Sequence, residues 1–189
     1  MITFVATAHL ENAPNRPFID SILAQKDPNW KAIIYHNGPN KQLQEWIEAI
    51  DDSRLSYTES IVDNGNWGTA NRADAIHQIV ATDYIINTSI QDYYTQNAVQ
   101  EINKMIEQGA DLISWRGINH LFNFNEVNGE LAFGMIDWGQ WCVKTEYIKK
   151  TGIVNGREFA SDWFTLKAII DSRQIKNYKK INSILHIHN

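Results

Sequence analysis

Strand-like and helix-like segments alternate at short intervals through the first half of the chain. Four short runs, β-rich or largely apolar, are typical of strands and lie at residues 2–8, 30–36, 54–60 and 84–86. Apolar residues at helical spacing separate these runs at residues 15–25, 41–50 and 70–80. Nearly continuously apolar strands that are separated by helices indicate a parallel sheet with helices on both faces. The chain is therefore predicted to be an α/β protein.

The second half departs from this regular alternation. Its predicted elements are an amphipathic helix, a strand, hairpin-like pieces, a helix and a last strand, at residues 96–109, 111–115, 119–134, 158–171 and 184–188. Gly109 ends the first of these helices, and the pair Asn128-Gly129 favours a tight turn. We therefore expect a mainly parallel central sheet followed by a mixed C-terminal half.

Composition and charge restrict the classes of function. The 189 residues suffice for one domain with a real core, and 43% hydrophobic with 21% charged residues is typical of a soluble globular protein. A net charge of -5 argues against nucleic acid or an acidic lipid surface as a general partner. The one cysteine, Cys142, lies in an apolar run and is predicted to be a buried structural thiol. With neither a leader pattern nor an 18-residue apolar run, the sequence predicts a cytoplasmic location and no transmembrane segment.

Candidate ligand-binding residues follow the predicted strands, because an open parallel sheet binds ligands at the carboxyl ends of its strands. Thr7, His9 and Glu11 come at the end of the first strand. After the second strand, Asn37 offers an amide that could read a base or ribose edge. The same residue also begins an ordinary turn sequence, Asn-Gly-Pro, so both interpretations stay open.

Two further loops could bind charged groups. In residues 64–68 and the following helix, backbone N–H groups and Arg72 could face an anion such as a diphosphate; an ordinary helix N-terminus is the alternative. In the loop NTSIQDYY, Asp92 is the candidate ligand for a hard cation, and the segment HIH puts His186 and His188 on one strand face. These groups would suit Mn or Mg if they meet in space; otherwise the histidines are ordinary surface or core residues.

Acidic residues beside tryptophans form a third candidate group. Asp162 lies early in the predicted helix 158–171 next to Trp163, and Asp137 precedes Trp138. Asp162 could act as a general base toward an acceptor hydroxyl, or it could only complement the positive end of the helix dipole. Asp137, Trp138 and Trp163 are candidates for binding the acceptor, since flat aromatic faces with a polar handle suit a sugar.

An ordered series of motifs spans nearly the whole chain. The motifs are ATAHLEN, RPFIDSILAQKDPNWKAIIYHNGP, GNWGTANRADAI, TDYIINTSIQDYY and TGIVNGREFASDWFTLKAI. In its order and spacing this series resembles the family 2-type nucleotide-sugar glycosyltransferases with the GT-A fold. The resemblance implies a single glycosyltransferase domain over residues 1–189, with a nucleotide-binding half at 1–94 and an acceptor and catalytic half at 95–189.

The resemblance implies donor-binding roles for three residues, Thr7, Asn37 and Arg72, and position at a strand end adds His9. Thr7 matches the threonine that ends the first strand, and Asn37 takes the position of an aspartate that commonly contacts the nucleobase. Arg72 resembles the arginine that faces the donor, and His9 lies in the first of the strand-end loops. We therefore predict that these four residues bind the donor nucleotide.

A reduced metal site is also implied. Asp92 matches the last acid of the family's D-x-D-D region, whereas Ser89 and Gln91 replace the two preceding acids. His188, with His186 as the alternative, resembles the histidine that completes the metal site in some relatives. Fewer oxygen ligands predict weak binding of the divalent cation, with Gln91 giving the donor a neutral hydrogen bond instead.

Asp162 matches the second residue of the family's Glu-Asp pair, with Ser161 in place of Glu, and this residue is the catalytic base of inverting members. The resemblance implies a metal-assisted, inverting sugar transfer from a nucleoside-diphosphate sugar, with UDP-sugar favoured, to a glycan or other hydroxyl acceptor. It also implies a place in the cytoplasm or at the inner membrane face. Two alternatives stay open: a catalytically silent nucleotide-sugar or glycan-binding domain, and a glycoside hydrolase that uses Asp137 and Asp162.

Overall fold

Nine β-strands and six α-helices make up the described part of the chain. The structure is a computed structural model that describes residues 1–9, 16–63, 65, 68–120, 123–154 and 160–188. The strands are β1 (Ile2–Ala8), β2 (Trp30–His36), β3 (Leu55–Glu59), β4 (Tyr84–Ser89), β5 (Tyr93–Tyr94), β6 (Leu112–Asn119), β7 (Asn125–Val127), β8 (Trp141–Lys144) and β9 (Tyr178–His188). The helices are α1 (Arg16–Leu23), α2 (Lys41–Ala49), α3 (Thr69–Asp74), α4 (Ala98–Glu107), α5 (Thr145–Thr151) and α6 (Ser161–Asp171).

Two shorter helical turns complete the list of elements in the described ranges. A π-helical turn at Ala75–Ile79 continues α3, so the predicted helix 70–80 is one continuous segment with a change of hydrogen bonding inside it. A 3-10 turn spans Trp138–Gln140 directly before β8. Within these ranges, no helix has the length and apolar character needed to cross a membrane.

The parallel half of the sheet consists of β3, β2, β1 and β4 in that order. All three pairs are parallel, and β1 pairs with β2 from Ile2 opposite Trp30 to Ala8 opposite His36. Every side chain of β1 is buried. This agrees with its sequence, ITFVATA, which contains no charged residue and is therefore typical of a strand buried on both faces. The carboxyl ends of β1, β2 and β4 therefore lie side by side.

The remaining strands make the sheet mixed, in the order β4-β8-β6-β9-β5, with β7 paired to β6. β8 pairs antiparallel with both β4 and β6, whereas β6 and β9 are parallel. The expected mainly parallel sheet is thus not confirmed. β8 was not predicted from the sequence, because this strand has only four residues and α5 follows it directly, without a turn residue between them.

Helices cover both faces of the sheet, as the sequence predicted. Side chains alternate along β1, so Phe4 lies in one apolar cluster and Val5 in the other. The first cluster contains buried residues of α1, α2 and α4, and the second contains residues of the π-helical turn, α5 and α6. Cys142 is fully buried in the first cluster, which confirms the predicted burial of this thiol, and burial raises its pKa.

Gly129 lets the segment after β7 pass close to the backbone of β6. Its φ is +67°, and a Cβ at this position would lie 1.9 Å from the carbonyl oxygen of Trp115. Ser114 Oγ donates a hydrogen bond to the Gly129 carbonyl at 2.6 Å, which holds the two segments together. Only glycine fits here, because the position requires both a left-handed backbone and the absence of a side chain.

Gly129→Ala should therefore destabilise the fold by about 3 kcal/mol or more, since the new Cβ adds a clash to the cost of the left-handed conformation. Gly134→Ala is the matched control: its φ is +73° and no atom lies within 4 Å of the added Cβ. This control should cost only about 1–2 kcal/mol. Urea denaturation of both variants measures the difference, and equal losses would contradict the close approach to β6.

Candidate functional site

The candidate site lies at the carboxyl edge of the parallel half, where β1 and β4 end next to each other. Thr7 of β1 is opposite Ser89 of β4, and Ser89 begins the loop that leads to Asp92. The strand β5 follows this loop and pairs with β9 at His186 and Ile187. The site therefore joins the first half of the chain to its last strand.

Asp92 is a buried carboxylate, and both of its oxygens lie close to donors or imidazole nitrogens. Its Oδ2 accepts hydrogen bonds from Thr88 Oγ1 at 2.5 Å and from the Ser89 backbone N–H at 2.8 Å. Its Oδ1 is 2.8 Å from His188 Nδ1, and its Oδ2 is 3.2 Å from His186 Nε2. Burial opposes the charge of Asp92, but the two histidines outweigh burial and hold its pKa well below the usual range. Asp92 is therefore ionised at neutral pH.

His186 and His188 lie on one face of β9 and flank Asp92. The His186 side chain is buried, and its Nε2, although close to Asp92, has no hydrogen-bond partner in the described residues. Burial alone would lower the pKa of His188, but the hydrogen bond with Asp92 and the negative charges of Asp137, Asp92 and Asp162 raise it to about 9. One ligand atom from each of Asp92, His186 and His188 lies within 4.8 Å of the other two, so the three residues could hold one metal ion.

The 3-10 turn packs directly against His186 through Gly139. A Cβ at position 139 would lie 2.1 Å from His186 Nε2. The carbonyl of Gly139 accepts hydrogen bonds from Tyr94 Oη and from Trp115 Nε1, each at 3.0 Å. Both donors are fully buried, so two core side chains fix the turn that packs against the histidine.

Asp137 begins the 3-10 turn and faces His188. Its Oδ1 accepts the Trp138 backbone N–H at 2.6 Å, and its own N–H donates to Gln140 Oε1 at 3.1 Å, which completes a capping box. Its Oδ2 accepts a hydrogen bond from Asn119 Nδ2 at 3.2 Å and lies 3.6 Å from His188 Nδ1. The capping interaction therefore directs the second carboxylate oxygen toward the histidine.

Asp162 lies in the first turn of α6 and is half-buried. Its Oδ1 accepts the backbone N–H of Trp163 at 2.7 Å. Burial raises the pKa of Asp162, and the negative charge of Asp137 raises it further; backbone hydrogen bonds and Arg72 oppose this only in part, so the pKa is about 7. A carboxyl group with this pKa can exchange a proton near neutral pH, as a general base must.

Arg72 is a buried cation in the middle of the site. Its Nη2 donates to the carbonyl of Thr88 at 3.2 Å, and its guanidinium carbon lies 5.5 Å from the centre of the Trp138 ring. Burial lowers the pKa of Arg72 to about 10, against the opposing effect of the three site aspartates. Arg72 is therefore still positively charged at neutral pH.

The tryptophans predicted to bind an acceptor are packed into the protein. Trp138 is only 8% exposed, lies beside Arg72 and stacks on Trp141 with ring centres 5.3 Å apart. Trp163 is half-buried and packs against the second apolar cluster. The third predicted acceptor residue, Asp137, directs a carboxylate oxygen toward His188.

The predicted donor residue Asn37 belongs to a polar cluster beside the ends of β2 and β3. Asn37 Nδ2 donates to Asp63 Oδ1, and Asn37 Oδ1 accepts from Asn71 Nδ2 at 3.3 Å. Asn37 and Asn71 are buried, whereas Asp63 is exposed. The amide of Asn37 thus links an asparagine of α3 to an acid of the loop after β3.

The other predicted donor residues lie around this edge of the sheet. Thr7 is buried, and its Oγ1 donates to a β4 carbonyl at 3.4 Å. Burial and the nearby charge of Arg72 lower the pKa of the half-buried His9, so this imidazole is neutral at pH 7. Gln91 is half-buried in the loop before Asp92, and its backbone N–H donates to Ser89 Oγ at 3.2 Å.

Sequence reasoning missed several members of the site. His186 was only an alternative to His188, whereas both imidazoles lie next to Asp92. Asn119 and Gly139 contact the site without any local sequence signal. Asp63 lies in a loop that follows a predicted strand, but it was not singled out as a site residue. Glu11 and the loop residues 64, 66 and 67 lie outside the described residues.

Solved structures with a similar fold include those of TarS, a glycosyltransferase from S. aureus. TarS 1-349 has a TM-score of 0.80 at 12% sequence identity, and the match covers 100% of this chain and 60% of that chain. TarS 1-349 in complex with UDP-GlcNAc has a TM-score of 0.77 at 11% identity, covering 98% of this chain and 57% of that chain. No protein-family model and no curated protein matches the chain. At this identity the likeness shows the fold, which is GT-A-like.

Gly139→Ala should displace the His186 ring, because the added Cβ and Nε2 cannot occupy the same space. We expect a loss of about 2–3 kcal/mol in stability. His186→Ala removes the ring, so the same change at position 139 should cost at least about 1 kcal/mol less in that background. Urea denaturation of the two single variants and the double variant measures this coupling. If the costs added independently, the packing of the turn against His186 would be disproved.

Proposed function

We propose that the protein transfers a sugar from a nucleoside-diphosphate sugar to an acceptor hydroxyl, with inversion at the sugar and with help from a divalent cation. The observation that carries the proposal is the meeting of three groups at one edge of the sheet. They are a carboxyl group with a pKa of about 7, a buried arginine and a carboxylate flanked by two histidines. The GT-A-like fold, shared with a protein whose structures contain UDP and UDP-GlcNAc, supports the same reaction.

Asp162 is the general base in this proposal. Its ionised carboxylate takes the proton of the acceptor hydroxyl, and the acceptor oxygen forms a bond to the anomeric carbon. The bond from that carbon to the diphosphate oxygen breaks on the opposite face, and the diphosphate leaves with the electron pair. A single displacement of this kind inverts the configuration of the sugar. Asp137 raises the pKa of Asp162 and can accept a hydrogen bond from a second acceptor hydroxyl.

Arg72 stabilises the negative charge that develops on the diphosphate. Because Arg72 is buried, its charge acts through a less polar medium than water and is already oriented before the reaction begins. Thr7, His9, Asn37 and Gln91 complete the donor site around the ends of β1, β2 and β4. UDP-sugar is the favoured donor, since UDP and UDP-GlcNAc are the nucleotides in the TarS structures.

Asp92, His186 and His188 are the residues that would hold the cation. The buried Nε2 of His186 has no hydrogen-bond partner in the described residues, and buried polar atoms rarely stay unsatisfied. Two imidazoles and one carboxylate suit a transition ion better than Mg²⁺, which prefers oxygen ligands, so Mn is favoured over Mg. His188 has to give up its proton to bind a metal, which weakens the affinity. The bound ion supplies positive charge that stabilises the leaving diphosphate.

A catalytically silent nucleotide-sugar-binding domain is the second candidate. The observation that favours it is the ion pair between His188 and Asp92, which partly satisfies the charge of Asp92 without a cation. Ser89 and Gln91 also leave this loop with few acids. Release of UDP from a UDP-sugar in the presence of Mn would identify an enzyme. Binding without release, with a panel of acceptors supplied, would favour the silent domain.

UDP should raise the melting temperature, and Mn should increase that rise. A ligand at about 100 times its Kd stabilises by about 2.7 kcal/mol, which for this chain length corresponds to roughly 5–10 °C. His188→Gln should remove the part that depends on Mn and keep the part due to UDP alone. His77→Gln, an exposed histidine of the π-helical turn, is the matched control and should change neither part. No response to UDP, with or without Mn, would rule out the proposed donor site.

Asp162→Asn should lower the transfer rate by about 10²- to 10⁴-fold while nucleotide binding is kept. The same change should make the protein more stable at pH 8, by about 1–3 kcal/mol, because it removes a charge that burial disfavours. Activity assays, UDP titrations and urea denaturation measure the three effects. If nucleotide binding fell together with activity, the assignment of Asp162 as the base would be wrong.

The pH dependence of the unchanged protein provides the control for this prediction. Asp162 is protonated below its pKa of about 7, so kcat/KM should fall about tenfold per pH unit on the acid side and level off above pH 7. The stability gain from Asp162→Asn should disappear toward pH 4. Near that pH the carboxyl group becomes protonated in the unfolded as well as the folded protein, so the unchanged protein no longer has a buried charge to lose. A gain that does not change with pH would mean that another property of the asparagine causes it.

A further inference from the structure

Asp63 presents one carboxylate oxygen to solvent next to the proposed donor site. Its Oδ1 is engaged by two donors, the Asn37 side-chain amide and the Gly65 backbone N–H, the latter at 2.7 Å. Its Oδ2 makes no hydrogen bond to the residues that the structure describes. Two donors therefore fix the orientation of the carboxylate, while its second oxygen can accept a hydrogen bond from a ligand.

The Asn37 amide that holds Asp63 is itself fixed in orientation. Its Oδ1 accepts from Asn71 Nδ2 at 3.3 Å, so its Nδ2 has to face Asp63. The backbone N–H of Asn37 donates to the carbonyl of Ala8 at 2.7 Å, which anchors the residue to the end of β1. Asn37 therefore positions the acid from the buried side, and the acid itself faces outward.

Two exposed apolar side chains precede Asp63 in the same loop. Ile61 is 92% exposed and Val62 is 61% exposed, so both side chains are accessible to a ligand. A flat ring that lies against them would remove apolar surface from water. The charge of Asp63 also acts on His9, so the acid lies near a predicted donor residue. The loop therefore combines an oriented hydrogen-bond acceptor with an apolar surface for a planar ligand.

We propose that Asp63 recognises the nucleobase of the donor by accepting the ring N–H of uracil at Oδ2. This inference rests on the proposed function. Uracil carries a hydrogen on N3, whereas cytosine has a lone pair at the same position, and an ionised carboxylate can accept from the first but repels the second. Asp63 therefore selects uridine over cytidine nucleotides. Asn37 is the positioning residue, and the acid that reads the base comes from the neighbouring loop.

Titrations of UDP and CDP, each with Mn, test this assignment by calorimetry. The unchanged protein should bind UDP about tenfold or more tightly than CDP. Asp63→Asn should weaken UDP binding about tenfold and leave CDP binding unchanged or tighter, because an amide can donate to the cytosine N3. Asp51→Asn, which removes an exposed acid from the turn after α2, is the matched control and should leave both affinities unchanged.

The outcomes separate a specific role of Asp63 from a general one. If Asp63→Asn weakened UDP and CDP equally, the acid would act through loop structure or net charge, and the inference would be overturned. An unchanged preference for UDP in this variant, or equal binding of UDP and CDP by the unchanged protein, would overturn it as well. If neither nucleotide bound the unchanged protein, the donor site itself would be wrong, which is a failure of the proposed function.

Discussion

The buried carboxylate of Asp92 is the group on which the arrangement of the site depends. A carboxylate removed from water and left without partners would cost several kcal/mol, so the fold has to surround it with donors and positive charge. Two donors come from the end of β4, and His186 and His188 of β9 each lie against one of the two carboxylate oxygens. Satisfying Asp92 therefore ties the last strand to the end of β4. The 3-10 turn with Asp137 packs against that same strand.

The strands of the parallel half could be predicted because burial on both faces makes their sequences apolar throughout. The predicted limits of β1 and β2 are the observed ones. The mixed half offers weaker signals: β5 has two residues, β8 has four, and β9 begins with a mostly polar segment, residues 178–183, in which only Ile181 is buried. The sequence predicted only residues 184–188 of β9. Periodicity indicates a strand only where one face is consistently buried, and the first half of β9 lacks that feature.

Single site residues could be predicted from their local position, but their partners could not. Asp92 follows a buried strand and Asp162 begins a helix, and both features are visible within about ten residues of sequence. The pairing of Asp92 with His188 spans 96 residues and depends on the register of β9 against β6, which shifts twice around Arg116. Local sequence patterns cannot predict this shift of strand register. The same limit applies to Asp63, whose relation to Asn37 follows from the parallel pairing of β2 and β3.

The difference between Asp92 and Asp162 comes from their neighbours rather than from their burial. Burial raises the pKa of both carboxyl groups, yet two imidazoles keep Asp92 ionised while the like charge of Asp137 moves the pKa of Asp162 further upward. Arg72 opposes this increase only in part. One carboxylate is thus permanently charged, as a cation ligand must be, and the other gains and loses a proton near neutral pH. In the proposed reaction, a carboxylate that stays ionised at every working pH would be too weak a base to take a proton. These environments therefore suit Asp162 to the proposed role of base and Asp92 to the proposed role of cation ligand.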